Sequence, residues 1–346
     1  MRQIVAVWTI VSALLLWPAS AGAATLGGGP LADLQLQLSA ISMHAPGHVA
    51  MEVEDLATGT TAGLNVAASM PAASTIKIPV MVEVFRQLSL GLFDLNREVT
   101  LMRGDKDWGS GSLCDAPVGT RYSVSRLLLS MITVSDNTAA NMLIRLVGRQ
   151  HINHTMAELG LRRTRLSDYI RSDGYHIRYA LRTSASDMVT LLTSMAKEEL
   201  VDEWSSREMI DIMSRQRINS LLPRALPPFV SIAHKTGSLH DTLNDVGIVF
   251  ADPNPYVIAV MTTNLWDLDA GRSFIRGVSR IAYDDMMRLA SQNTNDLAPA
   301  PADATTTTTN SANSDGSAAT NGAQVSGSDD VPMWGPSPAP APTATP

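Results

Sequence analysis

Met70-Pro71-Ala72-Ala73-Ser74-Thr75-Ile76-Lys77-Ile78-Pro79-Val80 begins as a turn and ends as a helix. Pro71 and the alanines interrupt what precedes them; Ile76, Pro79, Val80 and Val82 then recur at helical spacing. Ser74 is therefore expected at a helix N-terminus, where free backbone N–H groups can stabilise an oxyanion. Lys77 follows three residues later on the same helix face. A neutral amine in that position can take the hydroxyl proton and make a nucleophile. The same Ser-x-x-Lys pattern recurs at Ser194 and Lys197, late in an amphipathic helix and followed by Glu198 and Glu199, which reads as a solvated helix face.

Outward from this helix the pattern is α/β. Leu31, Leu34, Leu38 and Ile41 recur at helical spacing, and Val49, Met51 and Val53 alternate as in a strand. Residues 123–147 and 188–195 carry helical periodicity. Residues 229–236, 246–251 and 256–263 read as strands, and about 272–289 as a last helix. Strands near both ends with helices between them suggest a sheet assembled from the two termini and a helical lobe inserted in the middle. A cleft between the lobes is the default place for a site.

The charge distribution excludes a basic nucleic-acid binder. Lys and Arg number 26 against 33 Asp and Glu, a net charge of −7, and residues 292–346 contribute five of the acids and no base. The single cysteine, Cys114, excludes a disulfide framework and a cysteine-rich zinc site. Arg2, the apolar run 4–17 and the small residues Ala19, Ala21 and Ala23 read as a secretory signal, residues 1–23. That run is too short to anchor well, since a spanning helix needs about 20 apolar residues. Export to the periplasm, the cell exterior or the cell wall is the expectation. Residues 24–291 then form one catalytic domain. Residues 292–346, rich in Ala, Thr, Pro and Ser, are expected to be disordered.

Two further motifs carry chemistry. Ser135-Asp136-Asn137 lies between two helical runs. It offers a hydroxyl to relay a proton and an amide to hold a carbonyl; Ser and Asp also favour helix N-caps, a part that suits Asp136. Lys235-Thr236-Gly237-Ser238 ends a strand. It offers a fixed cation, hydroxyls for a carboxylate, and a glycine that lets substrate lie against the strand edge. The plain alternative is a strand end with an exposed lysine.

Ser135 follows Ser74 by 61 residues and Lys235 follows Ser135 by 100. In this order and spacing the sequence resembles the penicillin-recognising serine enzymes, in particular the class A β-lactamases. Gly109-Ser110-Gly111, the run 131–141, the run 221–227 and Asp245-Val246-Gly247-Ile248 share the resemblance. The resemblance implies an α+β fold with an antiparallel sheet flanked by terminal helices, an inserted all-helical lobe and an active site between the lobes. It implies Ser74 as nucleophile, Lys77 as base with its pKa lowered by Lys235 and desolvation, and Ser135 as proton relay. It further implies an oxyanion hole from the backbone N–H groups of Ser74 and Ser238. Lys235, Thr236 and Ser238 would hold a substrate carboxylate and Asn137 its amide, with Gly237 at the strand edge. No cofactor or metal is implied. The expected partner of a monomeric chain is a small β-lactam or a D-Ala-D-Ala peptide.

The pattern breaks at one place. Class A β-lactamases carry a loop glutamate that activates the deacylating water. That position falls here on Ile170, and no glutamate occurs between Leu159 and Lys197. Asp168 and Asp173 are the acids near it; aspartate is one methylene shorter, and both read more simply as loop residues. Acylation at Ser74 is supported, fast hydrolysis is not. The expectation is a β-lactamase-type hydrolase with slow deacylation, set against a D-alanyl-D-alanine peptidase and a non-turnover binder. His151 and His154 read as a surface pair, His234 as facing away from Lys235, and Cys114 as a small buried residue. Trp108 is expected to wall the site.

Overall fold

The computed structural model describes residues 29–172 and 175–296. The signal reading and most of the tail fall outside the described residues.

In chain order the elements are α1 (Ala32–Ser42), β1 (His48–Asp55), β2 (Thr61–Leu64), β3 (Met70–Pro71), α2 (Lys77–Ser89), β4 (Glu98–Thr100) and β5 (Arg121–Ser123). There follow α3 (Val124–Thr133), α4 (Asn137–Val147), α5 (Arg149–Glu158), β6 (Arg165–Leu166), α6 (Tyr175–Ala180), β7 (Leu181–Thr183), α7 (Ala185–Ala196) and α8 (Glu203–Ser214). The described residues close with β8 (Ser231–Leu239), β9 (Thr242–Phe250), β10 (Tyr256–Thr263) and α9 (Leu268–Asp296). The main sheet has the order β2-β1-β10-β9-β8, with every neighbouring pair antiparallel. Both chain ends thus build one sheet around an inserted helical lobe, as the periodicity suggested.

Each sheet face has its own core. Val49, Met51, Val53, Ile258 and Val260 pack against Leu34 and Leu38 of α1 and Ile275 and Val278 of α9. Ala50, Val246, Ile248, Ala259 and Met261 face the helical lobe, in one cluster with Ile78, Phe85, Leu143 and Leu192. Covering both faces explains why β1 is buried almost continuously although its apolar residues alternate. The lobe's helices begin where local caps dictate. Ser123, Asp136, Ser184 and Asp202 each accept a backbone N–H from the first turn of α3, α4, α7 and α8. No described helix is long and apolar enough to cross a membrane. The last helix continues to Asp296 and so takes in the first five residues of the expected tail.

The lobe-facing side of β1 holds one unusual group. Glu52 is buried, and its Oε2 has no hydrogen-bond partner among the described residues. Burial, and then the neighbouring Glu54 charge, push its carboxyl from the ordinary 4.5 to about 7. The folded chain therefore holds a proton that the unfolded chain releases between those values, so stability falls as pH rises from 4.5 to 7. Glu52→Gln should stabilise the fold by about 2–3 kcal/mol at pH 8 and change little at pH 4.5. Urea melts at both pH values check this; an equal effect at both would refute it.

Candidate active site

Ser74 lies in a single 3-10 turn, Ala73–Ile76, that runs directly into α2. The turn is tightly held. Ala73 has a left-handed φ of 48°, uncommon for a residue with a Cβ. The N–H and hydroxyl of Thr75 both donate to Ala72 O, at 3.1 and 2.7 Å. Asn244 on β9 donates its amide to Pro71 O (2.8 Å) and Ala72 O (3.1 Å). Gly237 on β8 passes so close that a Cβ there would meet Ala72 O at 3.0 Å and Ser74 N at 3.1 Å. The glycine of the third motif thus suits the close approach of strand to turn, where a Cβ would be tight against backbone.

Lys77, the first residue of α2, is fully buried. Its Nζ lies 3.2 Å from Ser74 Oγ, 3.0 Å from Ser135 Oγ, 2.5 Å from Ser135 O and 2.7 Å from Asn137 Oδ1. Lys235, also fully buried, brings its Nζ to 3.1 Å from the same Ser135 Oγ and 2.9 Å from Thr236 O. Ser135 thus bridges two amines drawn from opposite parts of the chain. It does so from a left-handed conformation, φ 58°. Burial holds the Lys77 ammonium well below its usual range, the Lys235 cation lowers it further, and Asp136 and Asp107 oppose both. Burial also lowers Lys235, to about 7, against the opposing charge of Asp245.

Asp136 serves the scaffold. Its Oδ1 caps α4 through Ala139 N (2.8 Å), and its Oδ2 accepts from Ser112 N (2.8 Å) and Leu113 N (2.9 Å). Gly111, at φ +85°, passes so near this carboxylate that a Cβ would fall 2.1 Å from Oδ2. The Gly-Ser-Gly segment is shaped by that contact.

Above the amines lies a cleft of about 350 Å³. Ser74, Ser135, Asn137, Thr236 and Ser238 line it, joined by Gly109, Ser110, Ser172, Ile218, Leu239 and His240. The eight expected site residues are therefore gathered at one place: these five at the surface, Lys77 and Lys235 beneath, and Gly237 against the Ser74 turn, while Asp136 of the second motif braces the scaffold. Ser172, Ile218, His240 and the Asn244 latch were missed, because nothing local marks them. Trp108 does not wall the cleft. It is 70% exposed, and the lining begins at Gly109. Lys197, from the second Ser-x-x-Lys, is exposed and sits 3.9 Å from Glu54. His234 is buried, meeting Asp245 Oδ1 (2.9 Å) and Asn219 Oδ1 (3.0 Å) and no hydroxyl of the cleft. Cys114 is buried beside Gly111. His154 pairs with Glu158 at 3.2 Å and His151 with Val147 O at 2.8 Å.

The loop before α6 turns apolar at the decisive position. Ile170 is buried in the lobe core. Asn141 grips its backbone from both sides, accepting from Ile170 N (2.8 Å) and donating to Ile170 O (3.0 Å). Asp168 stands at the surface, half-buried, where its Oδ1 accepts from Tyr169 N at 2.7 Å and lies 3.7 Å from Arg149. It is not among the residues lining the cleft. Asp173 lies outside the described residues.

The sequence model of the β-lactamase enzyme family matches residues 33–286. The chain belongs to this family. A β-lactamase of Streptomyces lavendulae is 26% identical over 274 residues, spanning 71% of this chain and 87% of that relative. The L158E mutant of PBP-A, solved as an acyl-enzyme complex with penicillin G, superposes with a TM-score of 0.70 at 29% identity. It covers 75% of this chain and 97% of its own. A β-lactamase from Sphaerobacter thermophilus gives a TM-score of 0.67 at 28% identity, covering 78% and 99%. The fold is that of the penicillin-recognising serine enzymes.

For a β-lactamase-family chain the paired lysines carry a penalty on stability. Lys235 titrates at about 7 when folded and 10.5 otherwise. Between those values the folded state binds fewer protons, so stability rises with pH, and the full penalty is present below 7. Lys235→Met should therefore stabilise the fold by about 2–4 kcal/mol at pH 7. The gain should shrink toward pH 10. Thermal melts across that range test it, and a gain independent of pH would contradict it.

Proposed function

We propose that this serine hydrolase of the β-lactamase family acylates Ser74 with β-lactams and releases the acyl group slowly. The observation that carries this is the convergence of Lys77 and Lys235 on Ser135 beside the Ser74 hydroxyl. Burial and the Lys235 cation favour the neutral form of the Lys77 amine, which can take the Ser74 proton as Oγ attacks the lactam carbonyl. The carbonyl π electrons move to oxygen, against the backbone N–H groups of Ser74 and Ser238. As they return, the C–N bond breaks, and Ser135 gives its proton to the leaving nitrogen. Lys77, now charged, restores the Ser135 proton. Lys235, Thr236 and Ser238 hold the substrate carboxylate, and Asn137 its side-chain amide. Hydrolysis of the ester then needs a water and a base. Ile170 supplies no base, so Lys77 serves again, less well placed.

The buried Ile170 also favours a second reading. A D-alanyl-D-alanine peptidase uses the same acylation and deacylates with the lysine and serine system. β-Lactams would then be inhibitors and peptidoglycan stem peptides the substrates. In either case the chain acts outside the cytoplasm as a monomer, the leader reading of residues 1–23 being the basis for export.

Benzylpenicillin should add its mass to Ser74, and Ser74→Ala should abolish the adduct. A chromogenic cephalosporin should give a burst of about one equivalent followed by slow turnover. The acylation rate should rise with pH through the depressed Lys77 value. It should decline above about pH 7 as Lys235 loses its charge and its hold on the carboxylate. Intact-mass time courses from pH 5 to 9 read this out. No adduct and no hydrolysis would remove both enzymatic readings and leave a non-covalent binder; D-alanine release from a stem-peptide mimic would decide for the peptidase.

A further inference from the structure

Asp107 lies outside the three motifs and beneath the cleft, 6% exposed. Its carboxylate accepts from Asn137 Nδ2 at 2.7 Å, Gly109 N at 3.0 Å, Ser172 N at 2.7 Å and the Ser172 hydroxyl. Its own N–H donates to Thr138 Oγ1 at 3.1 Å. One buried side chain thus ties together the Gly109 segment, the first residue of α4 and the loop that carries Ile170.

The contact with Asn137 has a directional consequence. The two ends of a side-chain amide differ: the oxygen accepts and the nitrogen donates. A carboxylate that only accepts selects Nδ2, which turns Oδ1 toward Lys77 Nζ, 2.7 Å away. With the amide reversed, Asn137 would set oxygen against carboxylate and N–H against amine. We propose that Asp107 is a positioning residue for acylation, fixing the amide of Asn137 so that its oxygen faces Lys77 and clamping the Ser172 segment over the cleft floor. This rests on the reading of Ser74 as the acylated residue.

The electrostatics agree. Burial would raise the Asp107 carboxyl, but the hydrogen bonds from Ser172, Asn137 and Gly109 outweigh it and hold it below the usual carboxylate range. It stays an anion. The charges acting on Lys77 are Lys235 from β8, Asp136 before α4 and Asp107; the first lowers its pKa and the two acids raise it. Neutralising Asp107 should let Lys77 shed its proton at lower pH.

The chain has four lysines, at 77, 106, 197 and 235, so carbon-13 lysine spectra are simple enough to titrate directly. In Asp107→Asn the Lys77 midpoint should move down, the acid limb of benzylpenicillin acylation should move with it, and the maximal rate should fall about tenfold to a hundredfold. Ser172→Ala keeps the Asn137 contact and should leave the Lys77 midpoint in place. In the unsubstituted chain the Asn137 side-chain N–H pair should be distinct and slow to exchange, a reading that survives should Asp107→Asn not fold. An unmoved Lys77 midpoint, an equal shift in Ser172→Ala, or a rapidly averaging Asn137 amide would each overturn the assignment. No adduct on the unsubstituted chain would instead remove the acyl-enzyme reading, while the Lys77 titration still tests Asp107.

Discussion

Two lysine amines share one buried hydroxyl, and the rest of the site is arranged around that constraint. Placing two ammonium groups on either side of Ser135 Oγ, both sealed from water, disfavours their both being charged. The arrangement resolves by lowering both. Burial thus favours the neutral form of the amine beside Ser74, with the second amine held beneath the cleft. The scaffold must then hold the pair against its own preference to separate. Lys77 is anchored at the start of a helix buried along most of its length, Lys235 in a strand bonded to its neighbour from end to end. Ser135 is fixed between them in a left-handed conformation. Strain and buried charge coincide at the one place where chemistry needs them.

The secondary structure was legible wherever apolar periodicity was clean. The strand at 256–263 agrees residue for residue, and α1, α3, α4 and α7 fall where helical spacing placed them. The second sheet hairpin was read less well. β9 starts at Thr242, four residues before its apolar run, because Asn244 and Asp245 face inward as latches. Asn244 holds the Ser74 turn, while Asp245 meets His234 and Leu222 N. Polar residues in a buried strand defeat a hydrophobic pattern.

The site was legible in its motifs and not in its supports. Ser74, Lys77, Ser135, Asn137 and Lys235 announce themselves because each motif is a short run of reactive types. Asp107 gives no such sign: its partners lie 30 and 65 residues away, and alone it reads as a loop acid. Trp108 drew attention instead, being large and next to the glycines, yet its ring faces solvent. Supporting residues are defined by what they touch, and touch across long separations is what a single sequence does not display.

The two half-reactions of an acyl-enzyme would rest on separable parts of this fold. Attack on a carbonyl draws on α2, the Ser135 turn and β8, all gathered around Lys77. Activation of a hydrolytic water in class A β-lactamases draws on the loop, which here ends in Ile170 packed inward and Asn141 gripping its backbone. A glutamate at position 170 would bring a carboxylate to where Ile170 now packs in the lobe core, and a charge buried there unpaired would cost several kcal/mol. Ile170 itself offers no group that could activate a water. A chain can keep the first set of contacts intact while the second is rebuilt for packing, since no side chain of the lysine pair depends on residue 170. What couples the two regions is Asp107, which grips Asn137 with one oxygen and the Ser172 backbone with the other.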